Sequence, residues 1–152
     1  MKNILFLIFT VLFLSGCMKQ NPQLIKETDA NKKVVVSFLN IAFNKRDPVK
    51  AVDAFTENAE VLSIKGDTLL KGRTEIAHSI TNFLNSFTDI KYKPEWSYAE
   101  GEMVIIRWII QCTPKENYLT CPAGKPLEFR GVTFFKLIDR KIFNSLTYWN
   151  FK

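Results

Sequence analysis

A single histidine, His78, stands in 152 residues, with three cysteines and six glycines that never gather into a loop. Each scarcity excludes a class of chemistry. A serine-histidine-acid triad would need that histidine beside a serine and a buried acid. Counted from Ile76 at about 100° per residue, His78 lies about 200° round its helix, away from the apolar stripe. A zinc site needs three or four converging His, Cys or carboxylate ligands, and no such spacing occurs, so no metal is expected. Without a glycine-rich loop there is no phosphate cradle and no nucleotide cofactor motif, and no cofactor is expected. Dense basic runs are missing too. Lys and Arg exceed Asp and Glu by 21 to 15, a formal charge of +6, but they are scattered as Lys32-Lys33, Lys45-Arg46, Lys91, Lys93 and Arg140-Lys141. That pattern is not the footprint of a nucleic-acid binder.

Long hydrophobic runs are also lacking. The longest stretch, Ile4 to Leu14, is too short at about 1.5 Å per residue to cross a ~30 Å hydrocarbon core as a helix. With Lys2 before it and Leu14-Ser15-Gly16-Cys17 after it, it reads as a secretory signal peptide over residues 1–16. The ending resembles the bacterial lipobox. That resemblance implies diacylation of Cys17, cleavage before it, and a mature chain held in the bilayer on the extracytoplasmic side of the cell envelope; several acyl chains anchor stably where one is marginal. Residues 18–30 are polar with one proline and no clear period, and are expected to form a tether spanning up to ~40 Å.

From Asn31 the chain has the composition of one folded domain, extending to residue 152. Residues 31–44 place Val34, Phe38, Ile41 and Ala42 on one helical stripe. Asp47-Pro48 predicts a helix start, with Asp as N-cap and Pro in the first turn, and a short helix to Ala54. Residues 61–64 and 68–70 read as a short hairpin, and 74–87 as a third helix with Ile76, Ile80, Phe83, Leu84 and Phe87 inward. The period then changes from helical to alternating. Strands are expected over 90–99 and 103–113, followed by a loop from Pro114 to Pro126. A long hairpin over 127–151 breaks at Asp139-Arg140-Lys141, flanked by aromatic and β-branched residues that favour strands. Helices followed by a run of strands give an α+β class, three N-terminal helices packed on a curved, mainly antiparallel sheet.

Several short runs now resemble a known family. Phe43-Asn44-Lys45-Arg46-Asp47, Phe55 to Val61 (FTENAEV), Lys71 to Ile76 (KGRTEI), Val104 to Trp108 (VIIRW), Phe129 to Phe135 (FRGVTFF), Lys141-Ile142 and Tyr148-Trp149-Asn150 follow one another as in SnoaL-like domains of the NTF2-like superfamily. The resemblance covers residues 31–151. It implies a cone-shaped sheet closed by helices around an apolar pocket. Relatives that are ketosteroid isomerases or polyketide cyclases work through carboxylates inside the cone, one as base and one kept neutral as donor. By hand alignment those positions fall near Ser63 and Thr133, and an aspartate common after the last aromatic is here Asn150. None of the three can exchange a proton as a carboxylate would. Catalytic residues are therefore not assigned, and the expectation leans away from an enzyme. The alternative is an isomerase-, cyclase- or hydratase-type enzyme with a non-standard acid-base pair, for which Glu60, Glu95 and Glu128 are the strand-borne candidates.

For the pocket, Ser63, Trp96, Trp108, Thr133 and Trp149 are the expected ligand-binding residues, suited to a small hydrophobic ligand held by aromatic walls and a few hydroxyls. Val104, Ile106, Trp108, Ile110 and Cys112 share one strand face, and Met103, Ile105, Arg107, Ile109 and Gln111 the other. Both faces are largely apolar, whereas a half-solvated sheet should alternate with polar residues. The outer face is accordingly expected to be covered in a homodimer. Cys112, near the end of the strand over 103–113, and Cys121, inside the 114–126 loop, stand in a compartment that permits disulfides, and a bridge between them is expected.

Overall fold

A computed structural model describes residues 22–152; the expected signal peptide and Cys17 lie outside them. The first helix, α1 (Pro22–Leu39), runs into one π-helical turn over Asn40–Asn44. It begins at Pro22 rather than Asn31, so residues 22–30 are helix and not tether. The reason lies across the fold. Thr28 Oγ1 accepts from the Gly101 amide at 3.1 Å, and Asn31 Nδ2 donates to the Gly101 carbonyl at 2.9 Å. These two bonds tie the helix to a strand turn some 70 residues away, a tertiary contact that no local period reveals. Val35, Phe38, Leu39 and Ala42 form its buried stripe.

Asp47 caps α2 (Pro48–Ala51) as expected, its side chain accepting from the Lys50 amide at 3.0 Å. A single 3-10 turn, Val52–Ala54, leads into β1 (Phe55–Leu62), β2 (Thr68–Lys71), α3 (Gly72–Ser86), β3 (Phe87–Glu100), β4 (Met103–Pro114), β5 (Leu127–Ile138) and β6 (Lys141–Phe151). The fold is α+β. The six strands form one sheet in the order β2-β1-β6-β5-β4-β3. Every neighbouring pair is antiparallel except β1 with β6, which run parallel. The last strand is thus inserted beside the first.

The β5–β6 hairpin turns through Asp139 and Arg140, with φ of 48° and 59°. Two successive left-handed residues are the signature of a type I′ turn, whose twist matches that of the strands it joins. One face of the sheet meets the helices. Val104, Ile106, Trp108, Ile110, Leu127, Phe129, Phe135, Leu137 and Ile142 are buried there against the α1 stripe and against Ile76, Ile80 and Leu84 of α3. Among the described residues, no helix is long and apolar enough to cross a membrane.

Candidate functional site: a neutral cone

Between the concave sheet face and the helices lies a cavity of about 320 Å³. Phe38, Leu39 and Phe43 enter it from α1 and the π turn, Ile76, Ile80 and Phe83 from α3, and Tyr92, Trp108, Ile110, Phe129, Thr133 and Phe135 from β3, β4 and β5. Ser145, Thr147 and Trp149 of β6 complete one wall. Aromatic rings pack against one another around it. Phe87, Tyr118 and Phe129 meet edge to face with ring centroids 5.1 to 5.7 Å apart, a geometry that aligns ring edges with ring faces, and Phe83 lies tilted against Phe87 and Phe129 at 4.8 and 5.9 Å.

The polar features of the cone are few and ordered. Trp108 Nε1 donates to Thr133 Oγ1 at 2.9 Å, and Thr133 Oγ1 lies 2.9 Å from Thr147 Oγ1. Gly131 makes this possible. A Cβ there would stand 2.4 Å from Trp108 Cζ2, so only a residue without a side chain lets the indole lie flat across the neighbouring strand. On β3, Tyr92 faces Ile110 across the ladder and is buried at 8% exposure. Its backbone is clamped from both sides by Asn44 of the π turn. The Tyr92 amide donates to Asn44 Oδ1 at 3.0 Å, and Asn44 Nδ2 donates to the Tyr92 carbonyl at 3.2 Å. The ring stacks on Phe43 at 5.9 Å. Burial pushes the Tyr92 phenol well above its ordinary pKa, so it stays protonated.

Among the described residues, none that lines this cavity is Asp, Glu, His, Lys or Arg. The three candidate glutamates are placed elsewhere. Glu60 pairs with Lys71 at 3.3 Å on the β1–β2 edge. Glu95 pairs with Arg107 at 2.6 Å, and Glu128 with Arg130 at 2.7 Å, both on the outer sheet face. Hydrogen bonds from Arg130 and then Gln111 hold the Glu128 carboxyl below the ordinary carboxylate range. His78 is exposed on α3. Among the described residues no group of three or more His, Cys, Asp or Glu could hold a metal ion.

The structure separates the five expected pocket residues. Trp108, Thr133 and Trp149 line the cavity, with Trp149 at its mouth and 49% exposed. Ser63 does not. It lies in the turn after β1, where its Oγ accepts from the amides of Lys65 and Asp67 at 3.2 and 3.1 Å, a local turn motif that competes with strand pairing. Trp96 does not line it either, because a bulge between Pro94 and Trp96 turns it to the outer face, paired with Arg107 and 47% exposed. Asn150 is paired with Arg130 and is exposed. The expected bridge is absent: Cys112 and Cys121 are both free thiols. Cys112 points inward and is buried, whereas Cys121 Sγ faces the carbonyls of Pro122 and Lys125 within its own turn. Burial, and secondarily the neighbouring Cys121, push the Cys112 thiol up to about 11.

Sequence reasoning missed Tyr92, Ser145 and Thr147. The last two share the parity of Trp149 and could have been found from it; Tyr92 could not be singled out, because its environment comes from the π turn.

The family model of the SnoaL-like polyketide cyclases matches residues 33–151. No curated protein matches the chain at a significant level. Among solved structures, a SnoaL-like polyketide cyclase from Agrobacterium tumefaciens strain C58 superposes with a TM-score of 0.66 at 16% identity, over 79% of this chain and 91% of that one. TsrD from Streptomyces laurentii gives a TM-score of 0.68 at 14% identity, over 80% and 89%. The epoxide hydrolase/cyclase-like enzyme SalBIII, with a role in pyran ring formation in the polyether salinomycin, gives 0.67 at 20% identity, over 80% and 92%. At these identities the likeness concerns the fold.

Proposed function

The chain belongs to the SnoaL-like polyketide cyclase family, and from that premise we propose that it is a lipid-anchored envelope protein whose cone holds a small, uncharged, apolar ligand without converting it. The lining of the cavity carries this reading: it is aromatic and aliphatic with a few hydroxyls and no group that titrates near neutral pH. General acid-base catalysis needs a proton carrier within hydrogen-bond reach of the substrate. The glutamates that could have served are committed to ion pairs outside the cone, and a tyrosine held protonated by burial is no base at neutral pH. An isomerase- or cyclase-type reaction is therefore the weaker reading. Charged ligands are disfavoured by the same lining, because a buried ion without a counter-charge is costly.

The test uses the full chain in lipid nanodiscs, with empty nanodiscs as blank. Tetralin, a neutral bicyclic hydrocarbon, is expected to bind at least about tenfold more tightly than 2-naphthoate, a difference of ~1.4 kcal/mol. Equal or stronger binding of the anion would contradict the neutral-cone reading. Anchoring through Cys17 rests on the lipobox-like Leu14-Ser15-Gly16-Cys17. Replacing Cys17 by Ser is expected to move the protein out of detergent-rich membrane fractions, and its retention there would sink the anchor. A second reading, self-association through the outer sheet face, is favoured by the exposure of Trp96, Tyr98, Met103, Ile138 and Tyr148.

A further inference from the structure

We infer that the Tyr92 hydroxyl is the specificity-determining donor of the cone, and that the ligand is a neutral molecule presenting a carbonyl or ether oxygen to it. This deepens the neutral-cone reading and rests on it. Three observations lead here. The Tyr92 side chain lines the cavity and projects from the same face as its cross-strand partner Ile110. Its hydroxyl is buried yet has no hydrogen-bond partner among the described residues. Its ring is held in place, stacked on Phe43 and fixed at the backbone by both ends of the Asn44 carboxamide.

A buried hydroxyl normally finds a partner, because leaving it unpaired forfeits its hydration. The opposite polar group in the cone shows the usual outcome: Thr133 is engaged by Trp108 and by Thr147. The Tyr92 hydroxyl is buried without such a partner, on a side chain that lines the cavity. A π-helical turn often marks a functional site, and here the turn supplies both Phe43 and Asn44 to the one tyrosine. An acceptor oxygen on the ligand would satisfy the hydroxyl. A carboxylate would satisfy it too, but would bring a charge into a lining with no cation. A cavity of about 150 Å³ takes benzene, so this one, at about 320 Å³, suits a bicyclic frame.

The experiment compares 1-tetralone, a bicyclic ketone, with tetralin, the hydrocarbon of nearly the same shape, on the full chain and on Tyr92→Phe in nanodiscs. The expected result is that Tyr92→Phe weakens 1-tetralone on the order of three- to tenfold, the range for one net hydrogen bond, and leaves tetralin unchanged. The infrared carbonyl stretch of bound 1-tetralone should fall on the unaltered chain and return towards its free value on the variant. Thermal unfolding separates ligand recognition from structure: a hydroxyl without a partner can be removed without lowering Tm. Equal binding of 1-tetralone to both proteins, or an equal loss of tetralin, overturns the role of Tyr92. If Tyr92→Phe fails to fold, or its Tm falls, the hydroxyl is structural and the inference is overturned. If neither compound binds the unaltered chain, the neutral-cone reading fails first and this inference with it.

Discussion

Gly131 occupies its place because Trp108 needs the volume above it. Its cross-strand partners are Trp108 on one side and Trp149 on the other, so a glycine between two indoles forms the floor of the cone. A methyl group there would meet Trp108 at 2.4 Å and the Tyr148 carbonyl at 2.8 Å. The first contact can yield only by moving a buried ring that is hydrogen-bonded to Thr133, and the second is backbone. Gly131→Ala is therefore expected to destabilise the protein by about 1–3 kcal/mol through overpacking, seen as a lower urea midpoint at unchanged slope. It should also disturb the near-ultraviolet signal of the displaced tryptophan. An unchanged midpoint would show that the indole has room to move. Thr133 illustrates the same logic in polar form. The family resemblance sets it near the neutral acid of the isomerases, and the structure makes it the acceptor of a tryptophan N–H.

At the scale of elements, the most consequential feature is the irregularity in β3. Proline has no amide hydrogen and interrupts a ladder. Here the register shifts between Pro94 and Trp96, and Glu95 is the extra residue of the bulge. Such an insertion reverses which face the following side chains see. Tyr92 before it looks into the cone, while Trp96 and Tyr98 after it look out. Simple alternation from Tyr92 would have put Trp96 inside. The bulge also presents Glu95 to Arg107 and Arg130 on the outer face. The 115–126 loop behaves as an element of its own, closed by Tyr118 and Cys121 exchanging backbone bonds at 2.9 and 2.8 Å. With Cys112 buried and its thiol held neutral, and Cys121 partly exposed, iodoacetamide on the folded chain should label Cys121 and spare Cys112 until denaturation. Peptide mapping checks this; a linked 112–121 peptide, or labelling of Cys112 first, would refute it.

For the whole molecule, the proposed self-association rests on the outer sheet face. Ile105, Ile109, Val132, Phe134 and Leu146 are only partly buried, and Trp96, Tyr98 and Tyr148 stand exposed around the Arg107–Glu95–Arg130–Glu128 ion-pair network. An apolar centre crossed by charge pairs suits a self-complementary contact between two copies. Light scattering at tens of micromolar is expected to give a dimer for the chain carrying Cys17→Ser. A Phe134→Glu substitution should shift it to monomer, and a monomer before substitution would refute the contact.

Much was legible without tertiary information: the Ile76, Ile80 and Leu84 stripe of α3, the Asp47 cap, and the long C-terminal hairpin with its turn; on α1 the buried stripe takes in Val35 and Leu39, with Val34 and Ile41 only partly buried. Those features depend on residues a few positions apart, whose period and turn chemistry are written locally. The family resemblance added the cone. Which side chains meet inside it was decided only by the fold. The parallel seating of β6 beside β1, the bulge at Glu95 and the bonds from α1 to Gly101 join residues far apart in the chain. A one-residue change of register exchanges the two faces of a strand. That is why Trp96 lies outside the cone, whereas Ser63 is held in its own turn and Tyr92, before the bulge, is found inside.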